Sequence, residues 1–285
     1  MTPLSHKINP VQLSAFLLFH GVTLYLLTRL HWQWSAAASG LLLAFVMHHV
    51  RFFGISVVLH RYFSHKAFRT SRVFQLVLAL IGSLTLVRGP IRFAAAHRYH
   101  HRHSDTPQDI HSPDDGFLWS YVGWLMSEAF VEVSAREAKD LRRFPELVWL
   151  DRFYWLPAVL LFVLLYQAGG LHALVWGGFV STLSAWHLAF FVTSVFHRVG
   201  QQDFNTGDDS RNHFGLALIT MGEGWHNNHH ADMHAAQMGA HVGQPDFGFY
   251  SIWCLEKLGL IYDVKRFSAQ AEPSVQQTET SCATP

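Results

Sequence analysis

The stretch GISVVLHRYFSH, residues 54–65, carries an apolar run without a break into two histidines, His60 and His65. The run begins near residue 36, and about 20 mostly apolar residues suffice to cross a bilayer. His60 therefore ends a span, where side chains from other span ends and from the segments beyond can meet it. On one continuous α-helix His60 and His65 cannot share a face, so a bend is expected there to turn both inward.

Outward from this stretch the hydropathy is that of a membrane protein. Half of the 285 residues are hydrophobic and 14% are charged, too few polar groups to cover a soluble globule of this size. Four apolar runs read as spans, at 11–30, 36–59, 154–168 and 171–196. A fifth, 73–91, has Gly82, Ser83 and Thr85 in its middle and Arg88 and Pro90 at its end, and is expected not to cross. Gly169 and Gly170 make a tight link between the last two spans, and RLHWQWS, residues 29–35, links the first two.

Residues 61–154 hold 13 Lys and Arg, whereas the links inside the two hairpins hold only Arg29. By the positive-inside rule the middle region and both termini face the cytoplasm. The expected architecture is an all-α integral membrane protein: one domain, 1–267, with four transmembrane helices under a cytoplasmic helical cap built from 60–153 and 197–267. The start lacks the features of a cleaved signal peptide and is expected to be retained. The polar tail 268–285 reads as disordered. A net charge of +1 gives no reason to expect nucleic acid as a partner.

The 21 histidines equal all lysines and arginines together, while the two cysteines, Cys254 and Cys282, offer neither a disulfide framework nor a thiolate metal site. Besides His60 and His65 there are two dense groups, HRYHHRH (97–103) and GEGWHNNHH (222–230). His97, His100 and His101 stand at i, i+3 and i+4, one helical face; His226, His229 and His230 repeat the spacing. His103 falls off that face, and His197 stands alone at the end of the last span. Desolvating three imidazoles on one face is costly unless they share a partner. Single histidines in the spans, His20, His48, His49, His172 and His187, read as structural side chains.

Span ends and boxes lie on one side of the membrane, so all four groups can converge. Eight or nine neutral imidazoles with almost no acid suit iron, although ligand type alone does not exclude zinc, copper or nickel. They are too many for one ion, which implies two metals. A carboxylate-bridged bundle would need two Glu-x-x-His motifs, and only Glu223 to His226 fits.

These motifs, with HRYHHRHSDTPQDIHSP (97–113), GFLWSYVGWL (116–125), TGDDSRN (206–212) and LEKLGLIYDVK (255–265), make residues 35–265 resemble the membrane fatty-acid desaturases, most closely the stearoyl-CoA-desaturase-like, acyl-thioester branch in a bacterial form. The resemblance implies a non-haem di-iron centre with nine ligands: His60, His65, His97, His100, His101, His197, His226, His229 and His230. It also implies O2 as co-substrate and removal of two hydrogens from a fatty acyl thioester, acyl-CoA or acyl-carrier-protein, in the bacterial inner membrane. Where the branch has an Asn holding one iron through water, this chain has Thr193, whose hydroxyl is expected to take that place. Where relatives carry cations for CoA, it has Ala95-Ala96 and Ser127-Glu128-Ala129.

Other cations, Arg69, Arg72, Arg88, Arg92, Lys139, Arg142 and Arg143, are expected near the tunnel mouth, facing an acidic acyl carrier protein or a head group. Asp105, Asp109, Asp208, Asp209 and Glu223 are the nearest acids to the boxes and are expected to accept the second N–H of the ligating imidazoles. No redox module is fused, so electrons are expected from a separate donor such as a ferredoxin with its reductase. A related acetylenase or hydroxylase is the alternative on the same iron chemistry. A metal transporter is less favoured, because the histidines are grouped at span ends rather than strung along a path.

Overall fold

The computed structural model describes residues 5–30 and 34–268. Residues 1–4, 31–33 and 269–285, which hold the start expected to be retained, the middle of the first link and nearly all of the tail expected to be disordered, lie outside the described residues.

α1 (Pro10–Thr28) begins where the Asn9 side chain accepts from the amides of Val11 and Gln12. Pro10 fills the first helical position, where a missing N–H leaves nothing unpaired. α2 (Trp34–Phe53) continues directly into a π-helix, Gly54–Ser64, all of whose residues are buried. A π-helix stands where a bend is expected. In a π-helix, i→i+5 hydrogen bonds bring residues five apart onto adjacent turns of one face. His65 N donates to His60 O at 3.2 Å, and the two rings lie 4.9 Å apart. The wider helix brings both imidazoles together.

The chain then forms β1 (Arg69–Thr70) and α3 (Arg72–Ser83). Twelve residues make a helix of about 18 Å, short of the ~30 Å hydrocarbon core. α3 exposes Val73, Leu76, Val77 and Leu80 and packs Gly82 against Leu59 of the π-helix. The apolar run 73–91 is thus interrupted after Ser83 and resumes in α4 (Pro90–His103). Gly89, preceding α4, has no side chain to cap it. Asp151 Oδ1 caps it instead, accepting from Ile91 N and Arg92 N at 3.0 Å. α5 (Phe117–Tyr121), α6 (Glu128–Arg136) and α7 (Pro145–Arg152) follow.

α8 (Leu156–Ala173) loses helical geometry at Gly169 and at Gly170, where φ is +58°, a conformation glycine adopts without strain. The chain reverses there. The Phe162 and Phe179 rings lie 5.0 Å apart, and a second π-helical segment, Leu174–Val180, packs Gly177 against Leu165. α9 (Ser181–Val195) follows, then α10 (Phe214–Ile219), α11 (His226–Ala231), α12 (Phe247–Lys257) and β2 (Ile261–Tyr262). β2 pairs antiparallel with β1, Arg69 opposite Tyr262, which ties the end of the described chain to the segment after the first π-helix.

Among the described residues three helices are long and apolar enough to cross a membrane: Pro10–Thr28, Ala36–Ser64 and Leu156–Val195, the last broken at the two glycines. Leu17, Leu18, Leu24, Leu41, Leu42, Phe45, Leu160 and Leu164 are exposed on them. So much open apolar surface belongs in lipid rather than water. The chain is a mostly helical membrane protein.

Candidate metal centre

All nine histidines named from the sequence converge, in two groups. His60, His65, His97, His101 and His229 form one; His100, His197, His226 and His230 form the other. Within each group the ligand nitrogens lie within 4.8 Å of one another. Each box is shared between the groups. On α4 the i and i+4 histidines, His97 and His101, go to the five-histidine group and His100 to the other. On α11, His226 and His230 go to the four-histidine group and His229 to the first.

Carboxylates fix the ring orientations. Glu223 Oε2 accepts from His60 Nδ1 at 2.6 Å, Asp105 Oδ2 from His197 Nδ1 at 2.8 Å, Asp208 Oδ2 from His230 Nδ1 at 2.6 Å, and Asp109 from His100 Nδ1 at 2.9 Å. With Nδ1 donating, each Nε2 carries a lone pair. Yet His60 Nε2 lies 3.0 Å from His229 Nε2, His197 Nε2 lies 3.0 Å from His226 Nε2, and the buried Nε2 atoms of His100 and His230 have no partner. Crowded, unsatisfied lone pairs are the donor set a cation requires, so the residues fit a metal pair. Burial, reinforced by neighbouring imidazoles, holds His65, His97, His100, His101, His226 and His229 well below the ordinary histidine pKa, the neutral form a metal binds.

Both groups border one apolar cavity. His60, His97, His100 and His226 line it with Phe52, Ile55, Phe93, Leu125, Phe130 and Phe190. Val87, Arg88, Leu125 and Phe190 also line an adjoining cavity against α1, with Gln12, Arg92 and Tyr154.

A fatty acid desaturase model matches residues 32–237, which contain every one of these histidines. The chain belongs to the fatty acid desaturase family. It is an oxidoreductase that introduces unsaturation into a fatty acyl chain. Among its relatives, the sn-1 stearoyl-lipid 9-desaturase of Anabaena variabilis is 34% identical over 91% of this chain and 94% of its own length. The sn-2 palmitoyl-lipid 9-desaturase of Nostoc sp. (strain 36) is 36% identical over 90% of each. The hex-5-enoyl-[acyl-carrier protein] acetylenase of Moorena producens (strain JHB) is 34% identical over 90% of this chain and 88% of its own length.

Some expected site residues of the desaturase lie elsewhere. Asp209 reaches no histidine; its backbone amide donates to Asp105 Oδ2 at 2.8 Å, and its side chain is exposed toward Arg211. Thr193 lines the cavity, but its hydroxyl donates to Ser120 O at 2.6 Å rather than toward the histidines. The seven cations do not gather at one mouth. Arg88 lines the metal cavity and Arg92, paired with Asp151, lines the adjoining one. Arg69 and Arg143 border a separate cleft on the cap, Arg72 is held by Glu146, Lys139 is exposed, and Arg142 donates to Ser134 O.

Several supporting residues were not foreseen. Ser56 donates to Glu223 Oε1 at 2.5 Å, and Arg61, fully buried, pairs with Asp246 at 3.0 Å. Asn212 links Asn227 and Asn228, accepting from Asn227 N and donating to Asn228 Oδ1, which fixes α11. His111, buried in the cavity wall, has its ring 4.1 Å from that of His100, tilted by 31°. The asparagines inside NNHH were the available signal; Ser56 and Arg61 had none, since they meet their partners only in the folded chain.

Proposed function

We propose that the desaturase holds two irons, one in each histidine group, and uses O2 to remove two hydrogens from adjacent carbons of an acyl chain lying in the apolar cavity. The observation that supports this most directly is the pair of buried lone-pair clusters bordering a single apolar cavity. When bound, the metal pair supplies the oxidising chemistry. Glu223, Asp105, Asp109 and Asp208 orient the ligating rings. Phe52, Ile55, Phe93 and Phe190 exclude water and hold methylenes against His97 and His100. Arg88 and Arg92 meet the head group, so the depth from Arg88 to the histidines selects the carbons that react.

The break at Gly169–Gly170 supports counting Leu156–Val195 as two spans, four in all, with α3 in the interface. Both termini and the metal centre then face the cytoplasm of the bacterial inner membrane, where a separate ferredoxin-like donor supplies electrons. Relatives named for acyl-lipid, acyl-CoA and acyl-carrier-protein substrates keep a lipid ester beside the two thioesters as the acyl source. The acetylenase keeps alkyne formation as a second reading.

Product mass spectrometry tests this. Iron-loaded protein with a reductase system and O2 is given matched acyl-lipid, acyl-CoA and acyl-carrier-protein substrates. Loss of two hydrogens from one of them is expected; addition of oxygen would make the protein a hydroxylase instead.

A further inference from the structure

The two histidine groups have very different electrostatic surroundings. In the four-histidine group, three of four rings back onto carboxylates: His100 onto Asp109, His197 onto Asp105 and His230 onto Asp208, all within 3.0 Å. The side chains of these aspartates are 0%, 10% and 9% exposed, so water screens them little. Among the described residues no Lys or Arg lies within ion-pair distance of any of the three. Their remaining contacts are neutral donors: the amides of Asp105 and His111 for Asp109, the amide of Asp209 for Asp105, and Thr206 and Ser210 for Asp208.

The five-histidine group has one backing carboxylate, Glu223 on His60. Arg61 stands 3.6 Å from that carboxylate and offsets its charge in part, since its closer partner is Asp246 at 3.0 Å. Each group also buries one Nδ1 with no acceptor, that of His229 here and that of His226 in the other.

We infer that Asp105, Asp109 and Asp208 make the four-histidine position the one that favours the ferric ion, so that its iron is the last to accept an electron and the five-histidine iron the first. This rests on the di-iron reading above. A ferric ion gains more than a ferrous ion from each nearby negative charge, and a carboxylate hydrogen-bonded to a ligand also makes that ligand a stronger donor. The fifth imidazole of the other group opposes this only as a neutral dipole. Three unpaired charges beyond the rings outweigh it. At the effective dielectric of a partly buried site, each carboxylate shifts the ferric–ferrous equilibrium by roughly tenfold to a hundredfold. The three aspartates are positioning residues: they act through His100, His197 and His230 and touch no substrate.

The test is stepwise reduction of iron-loaded protein in nanodiscs with dithionite at poised potentials, with ferric content read by Mössbauer spectroscopy. Two waves of one iron each are expected. Asp109→Asn and Asp208→Asn should each bring the later wave toward easier reduction by at least tenfold in its equilibrium constant. Glu223→Gln should leave that wave in place. Asp105→Asn serves as a further variant should either of the others fail to retain iron. A single two-iron wave in the unaltered protein, or a shift of the earlier wave in the aspartate variants, overturns the inference while leaving the di-iron reading intact. Fewer than two irons retained through dialysis overturns the di-iron reading itself.

Discussion

Arg98 Nε donates to the carbonyl of Ser64 at 2.7 Å, joining the helix of the second histidine box to the end of the first π-helix. The same guanidinium reaches Phe63 O at 2.6 Å and Asp140 Oδ1 at 2.7 Å. Since His97 and His101 flank Arg98 on α4 while His60 and His65 flank Ser64, this fork sets the spacing of the five-histidine group. Lysine offers its three N–H groups from a single nitrogen and lacks the fork whose separate nitrogens reach the two carbonyls and the carboxylate here. Arg98→Lys should cost about 2–3 kcal/mol and leave fewer than two metal ions per chain after dialysis. Thermal unfolding with elemental analysis of the same sample checks both; full metal content in the variant would remove Arg98 from the scaffold of the site.

Asp151 places a cap on α4 from α7. Its Oδ1 accepts the amides of Ile91 and Arg92, in the gap left by Gly89. Alanine there leaves two buried amides without acceptors, and a destabilisation of about 1–2 kcal/mol is expected. Asp151→Asn retains an acceptor and should lose much less. Comparing the unfolding midpoints of the two variants separates the cap from the charge, because equal losses would mean the charge toward Arg92 matters more than the amides.

Acid should loosen the same joint through Asp140. Burial raises its pKa, but the hydrogen bonds and charges of Arg98 and Lys66 win and push it down to about 2. A carboxyl whose folded pKa is depressed adds stability above its unfolded value of ~3.9 and loses it as pH falls through the folded value. The stability difference between the native chain and Asp140→Asn should therefore be constant from neutral pH to about 4 and vanish between about 4 and 2. The side chain is nearly a third exposed, which keeps the effect small. A difference that grew on acidification would reverse the assignment.

Sequence pattern located the long apolar helices and the two HxxHH faces because hydrophobic length and i, i+3, i+4 spacing are local properties, while the full set of nine histidines came from the family resemblance. Division of each box between two groups was not legible, since i+4 and i+3 members part only when α4 and α11 face each other. Nor was the π-helix: nothing in GISVVLHRYFSH distinguishes i→i+5 from i→i+4 pairing until the rest of the cap buries all eleven residues. Acids were ranked by closeness in sequence, which served for Asp105, Asp109, Asp208 and Glu223. It failed for Asp209, whose neighbour Asp208 takes the inward position and leaves it facing solvent. Cations were grouped by the same logic and scattered, because Arg69 and Arg143 border a different cleft from the cavity that Arg88 lines.

Thr193 tests how far the resemblance carries at a position where the chain departs from it. Its hydroxyl has one hydrogen, directed to Ser120 O at 2.6 Å, so toward the histidines it could only accept. Valine keeps the shape and removes that bond, leaving the Ser120 carbonyl without this donor. A loss of about 1–2 kcal/mol in stability is expected, with the metal content unchanged and acyl turnover within a few-fold. Elemental analysis of Thr193→Val after dialysis decides it. Selective loss of one metal would show that Thr193 holds the four-histidine ion through water, whereas retention of both shows that the four imidazoles suffice without it.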